Sequence, residues 1–292
     1  MTLPAEDLHA GDSLREYAFS DADFGMIADL ANRKYGLYLQ SSKKTLVYSR
    51  LARRLRALRL DSFAEYCALL DAPEGAEEQS HLLSALTTNV THFFRERHHF
   101  EKLQHEIVPT LIEKTRNGGS VRIWSSACSA GQEAYCIAAS ILAVCPDAGS
   151  RDIKVLATDV DPMILEKARA GLYPDDQLEA IPAGFRDLMV ARDPSAPGHF
   201  SIRSELRALL SFGQLNLIDS WPMKRQFDVI FCRNAAIYFD KQTQATLWKR
   251  FADIVVPSGF LMIGHSERLS GEATACFKSA GVTTYQKCNA TA

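Results

Sequence analysis

Residues 227–240 read FDVIFCRNAAIYFD. The stretch opens as a short apolar run, Val229-Ile230-Phe231-Cys232, whose β-branched and aromatic residues predict a strand buried on both faces of a parallel sheet. It then turns polar at Arg233-Asn234 and reaches Tyr238. In open α/β sheets ligands bind beyond the carboxyl ends of the strands, so these polar residues fall where a ligand would sit. Asp240 is placed to cap a helix running from about Lys241 to Val255, with Leu247, Trp248, Phe251, Ile254 and Val255 as its apolar face. Pro257 and Gly259 are expected to end that helix.

The same alternation recurs on both sides. Val121–Ser126 predicts a strand and Gln132–Val144 a helix; Ile153–Thr158 and Pro162–Ala170 repeat the pair, and Phe260–Gly264 adds a further strand. Strands and helices in alternation predict an α/β fold, a doubly wound and mostly parallel Rossmann-like sheet. Residues 184–212 break the rhythm: Asp193-Pro-Ser-Ala-Pro-Gly198 lies between two β-leaning flanks, which predicts a small inserted β-subdomain. Before residue 90 the texture is helical. Phe24, Ile27, Ala28, Leu30 and Ala31 recur at helical spacing, and Val47, Leu51, Leu55 and Leu58 form the stripe of a second helix over Ser42–Leu60. A turn-rich break at Asp71–Ala76 precedes a segment with Leu82, Leu83 and Leu86. The expected organisation is an all-α domain over 14–88 and an α/β domain over 89–292.

Bulk composition narrows the function classes. The chain has 292 residues, 47% of them hydrophobic, enough to build substantial cores. A formal net charge of -2 argues against a general nucleic-acid binder. There is no apolar run of about 18 residues that would insert in a membrane, and the opening MTLPAEDLHAGD lacks the pattern of an export signal. Cys67, Cys128, Cys136, Cys145, Cys232, Cys276 and Cys288 form no CxxC pair. Together these predict reduced thiols in a cytoplasmic protein without a structural zinc. His98-His99 has no accompanying carboxylate or cysteine spacing, so no metal is expected there.

The strand tips suggest a ligand. The first strand runs into Ser-Ser-Ala-Cys-Ser-Ala-Gly131-Gln132-Glu133, a loop of small residues that lets backbone approach a ligand closely. It is neither a GxGxxG fingerprint nor a P-loop. On its own it reads equally well as a tight turn, and Glu133 as a residue placed to favour the helix dipole. The second strand ends in Thr158-Asp159-Val-Asp161-Pro162. Asp159, 28 residues after Gly131, is placed to accept from a ribose diol, while Asp161 caps the helix that Pro162 begins. The trio fits a nucleoside without phosphates, such as S-adenosylmethionine.

Read together, Asn89-Val-Thr91-His-Phe-Phe-Arg95, WSSACSAGQEAY, TDVDPMILEKARAGLY, and FCRNAAIYFDKQTQ with Gly264-His-Ser-Glu267 resemble the CheR family of chemotaxis receptor glutamate methyltransferases. The resemblance runs over about residues 20–287 in the family's order. It implies transfer of a methyl group from S-adenosylmethionine to receptor glutamates, leaving S-adenosylhomocysteine. By resemblance, Asn89, Thr91, Arg95, Glu133, Asp159, Asn216 and Leu217 contact the cofactor and Cys232-Arg233-Asn234 closes the site. Arg95 and Tyr238 then lie beside the reactive methyl group. A turn of the Asn/Asp-Pro-Pro-aromatic type, frequent where nitrogen is methylated, is replaced here by Arg233-Asn-Ala-Ala, which disfavours a nitrogen acceptor.

The resemblance also implies partners. Seven basic residues and no acid lie between Lys43 and Leu60; a solvated face is the plain reading. In the family the corresponding helix docks on acidic methylation helices of the receptor, which Arg50, Arg53, Arg54, Arg56 and Arg59 suit by charge. Some members also hold a receptor's C-terminal peptide on the inserted subdomain, where Arg203 is the matching residue. The family's GEEPY loop is altered to Gly131-Gln-Glu-Ala-Tyr135. An S-adenosylmethionine-binding adaptor without activity, or a methyltransferase serving a receptor-like protein outside motility, are the alternatives.

Overall fold

In a computed structural model, described here for residues 16–87, 89–192 and 194–289, the chain forms two compact units divided between residues 88 and 89. The N-terminal dodecapeptide, the first two residues of the expected helical domain, Thr88 and Asp193 lie outside the described residues.

The first unit contains helices Asp21–Tyr35, Lys44–Leu58, Phe63–Asp71 and Ala76–Leu86. Ser20 opens the first with a reciprocal capping box to Asp23. The predicted stripe faces inward: Val47, Leu51 and Leu55 are buried with Phe19, Phe63, Tyr66 and Leu82. The basic helix does not present all its arginines outward. Arg54 pairs with the buried Glu78 at 2.5 Å, and Tyr66 donates to the same carboxylate at 2.9 Å. Arg50 donates to the carbonyls of Ala85 and Leu86, the unsatisfied end of the fourth helix. Arg53, Arg56 and Arg59 are exposed.

The second unit is built on strands β1 (Val121–Ser125), β2 (Ile153–Asp159), β3 (Leu172–Pro174), β4 (Val190–Ala191), β5 (His199–Ile202), β6 (Leu210–Gln214), β7 (Phe227–Cys232), β8 (Val255–Ile263), β9 (Phe277–Gly281) and β10 (Thr284–Lys287). Seven form one sheet in the order β6-β2-β1-β7-β8-β10-β9. All pairings are parallel except those of β10, which runs antiparallel to β8 and β9. All six residues of β7 are buried. Val229 and Phe231 join one core with Phe100 and Ile123, while Ile230 and Cys232 join another with Trp124 and Trp248. The continuous apolar run therefore reflects two covered faces.

Two boundaries differ from expectation. The inserted sheet, ordered β3-β5-β4, begins with Leu172–Pro174, and Leu210–Gln214 is not part of it but pairs with β2 as an edge of the main sheet. Pro257 and Gly259 do not follow the Lys241–Ile254 helix as terminators; they lie inside β8, where the pairing with β7 shifts register. Asp240 does cap that helix, accepting from the amides of Gln242 and Thr243.

Candidate active site

The sheet order brings the singled-out residues into one row. The carboxyl ends of β6, β2, β1 and β7 are neighbours, and the chain reverses its direction of progress across the sheet between β1 and β7. Such a switch point leaves a crevice beside the strand ends. Asn216 and Leu217 follow β6, Asp159 ends β2, the small-residue loop follows β1, and Arg233-Asn234 follow β7. The loop ends at Gly131 with φ 95, and a Cβ there would lie 3.0 Å from that of Ala168 and 3.1 Å from the Tyr135 ring, so only glycine fits. Asn89 reaches the same row, donating to Asp161 at 3.2 Å and accepting from the Ser129 hydroxyl at 3.4 Å. Thr91 and Arg95 are half-buried nearby in sequence.

Asp159 and Asp161 divide their tasks. Asp161 accepts from the amides of Met163 and Ile164 and caps the Pro162–Ala170 helix. Asp159 is buried, and its two oxygens accept from the amides of Ser129 and Asp161 at 2.8 and 3.1 Å. Burial pushes its carboxyl up to about 6, against the pull of those amides. A carboxylate oxygen has further lone pairs, so both remain competent to accept from a diol.

Behind this row lies a buried charge network. The Arg233 side chain, 2% exposed, pairs with Glu133 at 2.9 Å, approaches Glu96 at 3.6 Å and donates to the carbonyl of Arg95. Ser125 donates to the other oxygen of Glu133 at 2.6 Å. Burial raises the Glu133 carboxyl above its ordinary value despite Arg233. For Glu96, burial pushes upward, but Arg233 and the hydrogen bonds from His265 prevail and leave it lowered. Arg233 and Glu133, expected to touch a ligand directly, thus hold each other. Cys232 and Leu217 are buried in the core.

The expectation that His98-His99 lacks a carboxylate is corrected: ligand atoms of Glu96, His98 and His99 lie within 4.8 Å of one another. Arg233 shares that carboxylate, and His99 Nε2 lies 2.9 Å from the Thr283 hydroxyl. Burial, then Arg233, lowers His99 to about 3, which keeps it neutral.

Several backbones here are in the left-handed region without being glycine: Phe94 (φ 53), Glu96 (φ 56), Ser129 (φ 49) and Asn234 (φ 59). Arg95, between two of them, donates from Nη1 to the carbonyl of Val90 at 3.0 Å. Tyr238 is half-buried on the short helical turn Ala236–Tyr238. Two residues with no assigned role in the sequence reading, Glu96 and Glu267, organise these turns; Glu267 was signalled only by its place in the quoted Gly264–Glu267 motif, and Glu96 only by following the Asn89–Arg95 motif directly.

The donor set suits a phosphate-free, cationic nucleoside. The loop from Ser125 to Gly131 carries no lysine or arginine, and a phosphate would face Asp159. Asn234 Nδ2 is buried beside Gly264 without a hydrogen-bond partner among the described residues. Gln132 donates to Gln177 at 3.2 Å while its Oε1 is buried without a hydrogen-bond partner among the described residues, and Ala134 packs in the core.

Comparison with known proteins agrees over nearly the whole chain. Residues 22–87 match the model described as CheR methyltransferase, all-alpha domain, and residues 89–286 the one described as CheR methyltransferase, SAM binding domain. A probable chemotaxis protein methyltransferase of Rhizobium etli is 46% identical, covering 86% of this chain and 94% of that one. Chemotaxis protein methyltransferase 2 of Pseudomonas aeruginosa is 41% identical (93% and 95%), and the chemotaxis protein methyltransferase of Salmonella typhimurium 39% identical (92% and 91%). A helical unit followed by a switch-point sheet, each matched along its length by the corresponding domain model, makes this chain a member of the CheR methyltransferase family.

Proposed function

We propose that this S-adenosylmethionine-dependent methyltransferase esterifies glutamate side chains on the cytoplasmic helices of chemotaxis receptors. The observation that carries the reading is the row of strand tips, with a buried acid for a ribose beside turns that bear Arg95 and Tyr238. The bound cofactor supplies an electrophilic methyl group on a cationic sulfur. A glutamate carboxylate is ionised near neutral pH and needs no base, so alignment is what the protein contributes. Arg95 and Tyr238 donate to the acceptor carboxylate and aim one oxygen at the methyl carbon. Asp159 takes the ribose hydroxyls, Asn89, Thr91 and Asn216 line the remaining nucleoside, and Asn234 offers its amide. Arg53, Arg56 and Arg59 supply the positive face for an acidic helix, and Arg203, ion-paired with Glu205 at 2.8 Å, the candidate contact for a receptor tail peptide.

The test combines purified protein, methyl-labelled S-adenosylmethionine and receptor membranes. Base-labile label released as methanol is the expected result. Tight cofactor binding with no transfer to any receptor overturns the proposal and leaves the adaptor.

Cofactor affinity should depend on Asp159 ionisation. The ionised form is the better acceptor, so S-adenosylhomocysteine binding should weaken as pH falls through the range near 6. By calorimetry, D159N should bind on the order of tenfold more weakly at neutral pH, with this pH dependence lost. An unchanged pH profile in D159N would exclude Asp159 from the ribose role.

A further inference from the structure

The Gly264–Glu267 turn, which follows β8, touches the two segments that matter most. Glu267 is 4% exposed, and its Oε2 accepts from the amides of Gly264 at 2.5 Å and Asn234 at 3.1 Å. Its other oxygen, Oε1, is buried without a hydrogen-bond partner among the described residues. Through Asn234 the carboxylate holds the start of the turn that ends in Tyr238. Asn234 leaves β7 in the left-handed region, a conformation that costs a non-glycine residue free energy unless its surroundings hold it. The Gly264 end is closely packed: a Cβ would come within 2.6 Å of Asn234 Nδ2 and 2.8 Å of its backbone nitrogen.

From the same turn, His265 meets the other segment. Its backbone nitrogen and Nδ1 lie 3.3 and 3.1 Å from Glu96 Oε1. Glu96 follows Arg95 directly and is itself left-handed. One four-residue turn thus meets both segments, holding the Asn234 amide through the Glu267 carboxylate and the Glu96 side chain through the His265 amide and imidazole.

We propose that the Gly264–Glu267 turn is the brace that sets the spacing between Arg95 and Tyr238, with Glu267 and His265 as positioning residues. This rests on the reading that Arg95 and Tyr238 face the acceptor carboxylate. A carboxylate suits the task because a single oxygen, with its lone pairs, accepts from both convergent amides at once. The glutamine amide of E267Q keeps one neutral oxygen acceptor and the shape, so it weakens the brace without opening a cavity.

The experiment measures hydrogen exchange, S-adenosylhomocysteine affinity and methyl transfer in wild type, E267Q, H265A, Y238F and E267Q/Y238F. In E267Q the amides of Asn234 and Gly264 should lose protection while the rest of the sheet keeps it. Turnover should fall on the order of tenfold with cofactor affinity held within about threefold, the loss of one charge-assisted bond. The double variant should be scarcely slower than Y238F, because both act through the same side chain. H265A, whose exposed side chain spares the fold, should slow transfer less than E267Q and loosen the Arg95 segment. Unchanged protection in E267Q overturns the brace. Lost protection with full turnover overturns the positioning role, as do multiplicative effects in the double variant. If Y238F keeps full turnover, the catalytic reading fails, whatever the exchange data say of the brace.

Discussion

Replacing Arg233 by alanine is expected to destabilise the sheet unit by about 3–5 kcal/mol, because it strands buried carboxylates that the guanidinium now holds. Glu133 and Glu96 both face Arg233, and neither has room to turn to water: their side chains are 10% and 11% exposed. For a unit of this size the loss corresponds to a fall in melting temperature of roughly 10 °C, readable by calorimetry or near-ultraviolet dichroism. The deficit should depend on pH. Burial already holds the Glu133 carboxyl above its ordinary value, so its charged form is a cost that is absent below the unfolded value and complete above the folded one. Removing Arg233 raises the Glu133 carboxyl further and takes away the main pull that holds Glu96 low, so the gap between variant and wild type should narrow as pH is lowered from about 8 to about 5. A gap that is constant across that range would show that the lost bond to the Arg95 carbonyl, not the charge balance, dominates. R233K should recover only part, since one ammonium lacks the fork that reaches Glu133 and the Arg95 carbonyl together.

Y238F is the variant expected to injure catalysis most selectively. It removes a single hydroxyl from a half-buried ring. A hydrogen bond to a charged acceptor is worth about 1.5–3 kcal/mol, which is roughly a ten- to hundredfold change in turnover. Cofactor affinity should move by less than about threefold, because the hydroxyl is assigned to the acceptor and not to the nucleoside. Initial rates with saturating cofactor and varied receptor separate the two, with S-adenosylhomocysteine binding measured in parallel. Turnover equal to wild type would remove Tyr238 from the mechanism. R95K offers the complementary arm: the bond from Arg95 to the Val90 carbonyl uses one of its five N–H groups, and lysine cannot keep that bond and present a bidentate face as well.

The parts of the fold visible in the sequence were those with strong local signals. β1, β2, β7 and the helices after them announce themselves through buried runs, caps and spacing, and Asp161 as a cap follows from the proline beside it. β6 was hidden because it is an edge strand: Leu210–Gln214 has no buried residue and contains a glycine, so it reads as a flank of the insertion. β3 is three residues ending in proline, paired to residues 199–201, and has no local signature. Pro257 and Gly259 misled because punctuation residues mark a strand irregularity as readily as a helix end.

In the site, which residues converge was legible from motifs, but how they are satisfied was not. Glu133 and Arg233 are 100 residues apart, Arg54 and Glu78 are 24 apart, and nothing in spacing pairs them. That is why charged residues read as ligands or docking surface proved to be partners of one another. Arg54 is the clearest case. In a stretch with seven basic residues it looked like surface charge, and it is the cation that pairs with a buried glutamate beside Tyr66.

The left-handed residues around the site carry an implication for engineering. Phe94, Glu96, Ser129 and Asn234 occupy a conformation that glycine adopts without penalty. A selection for thermal robustness alone would tend to install glycine at such places, relieving local strain. Each such gain would trade a set geometry for slack in the loops that present Arg95 and Asn234. Consensus or stability-guided redesign of this protein should therefore hold those four positions fixed and seek its gains in the helical unit and at the far edge of the sheet.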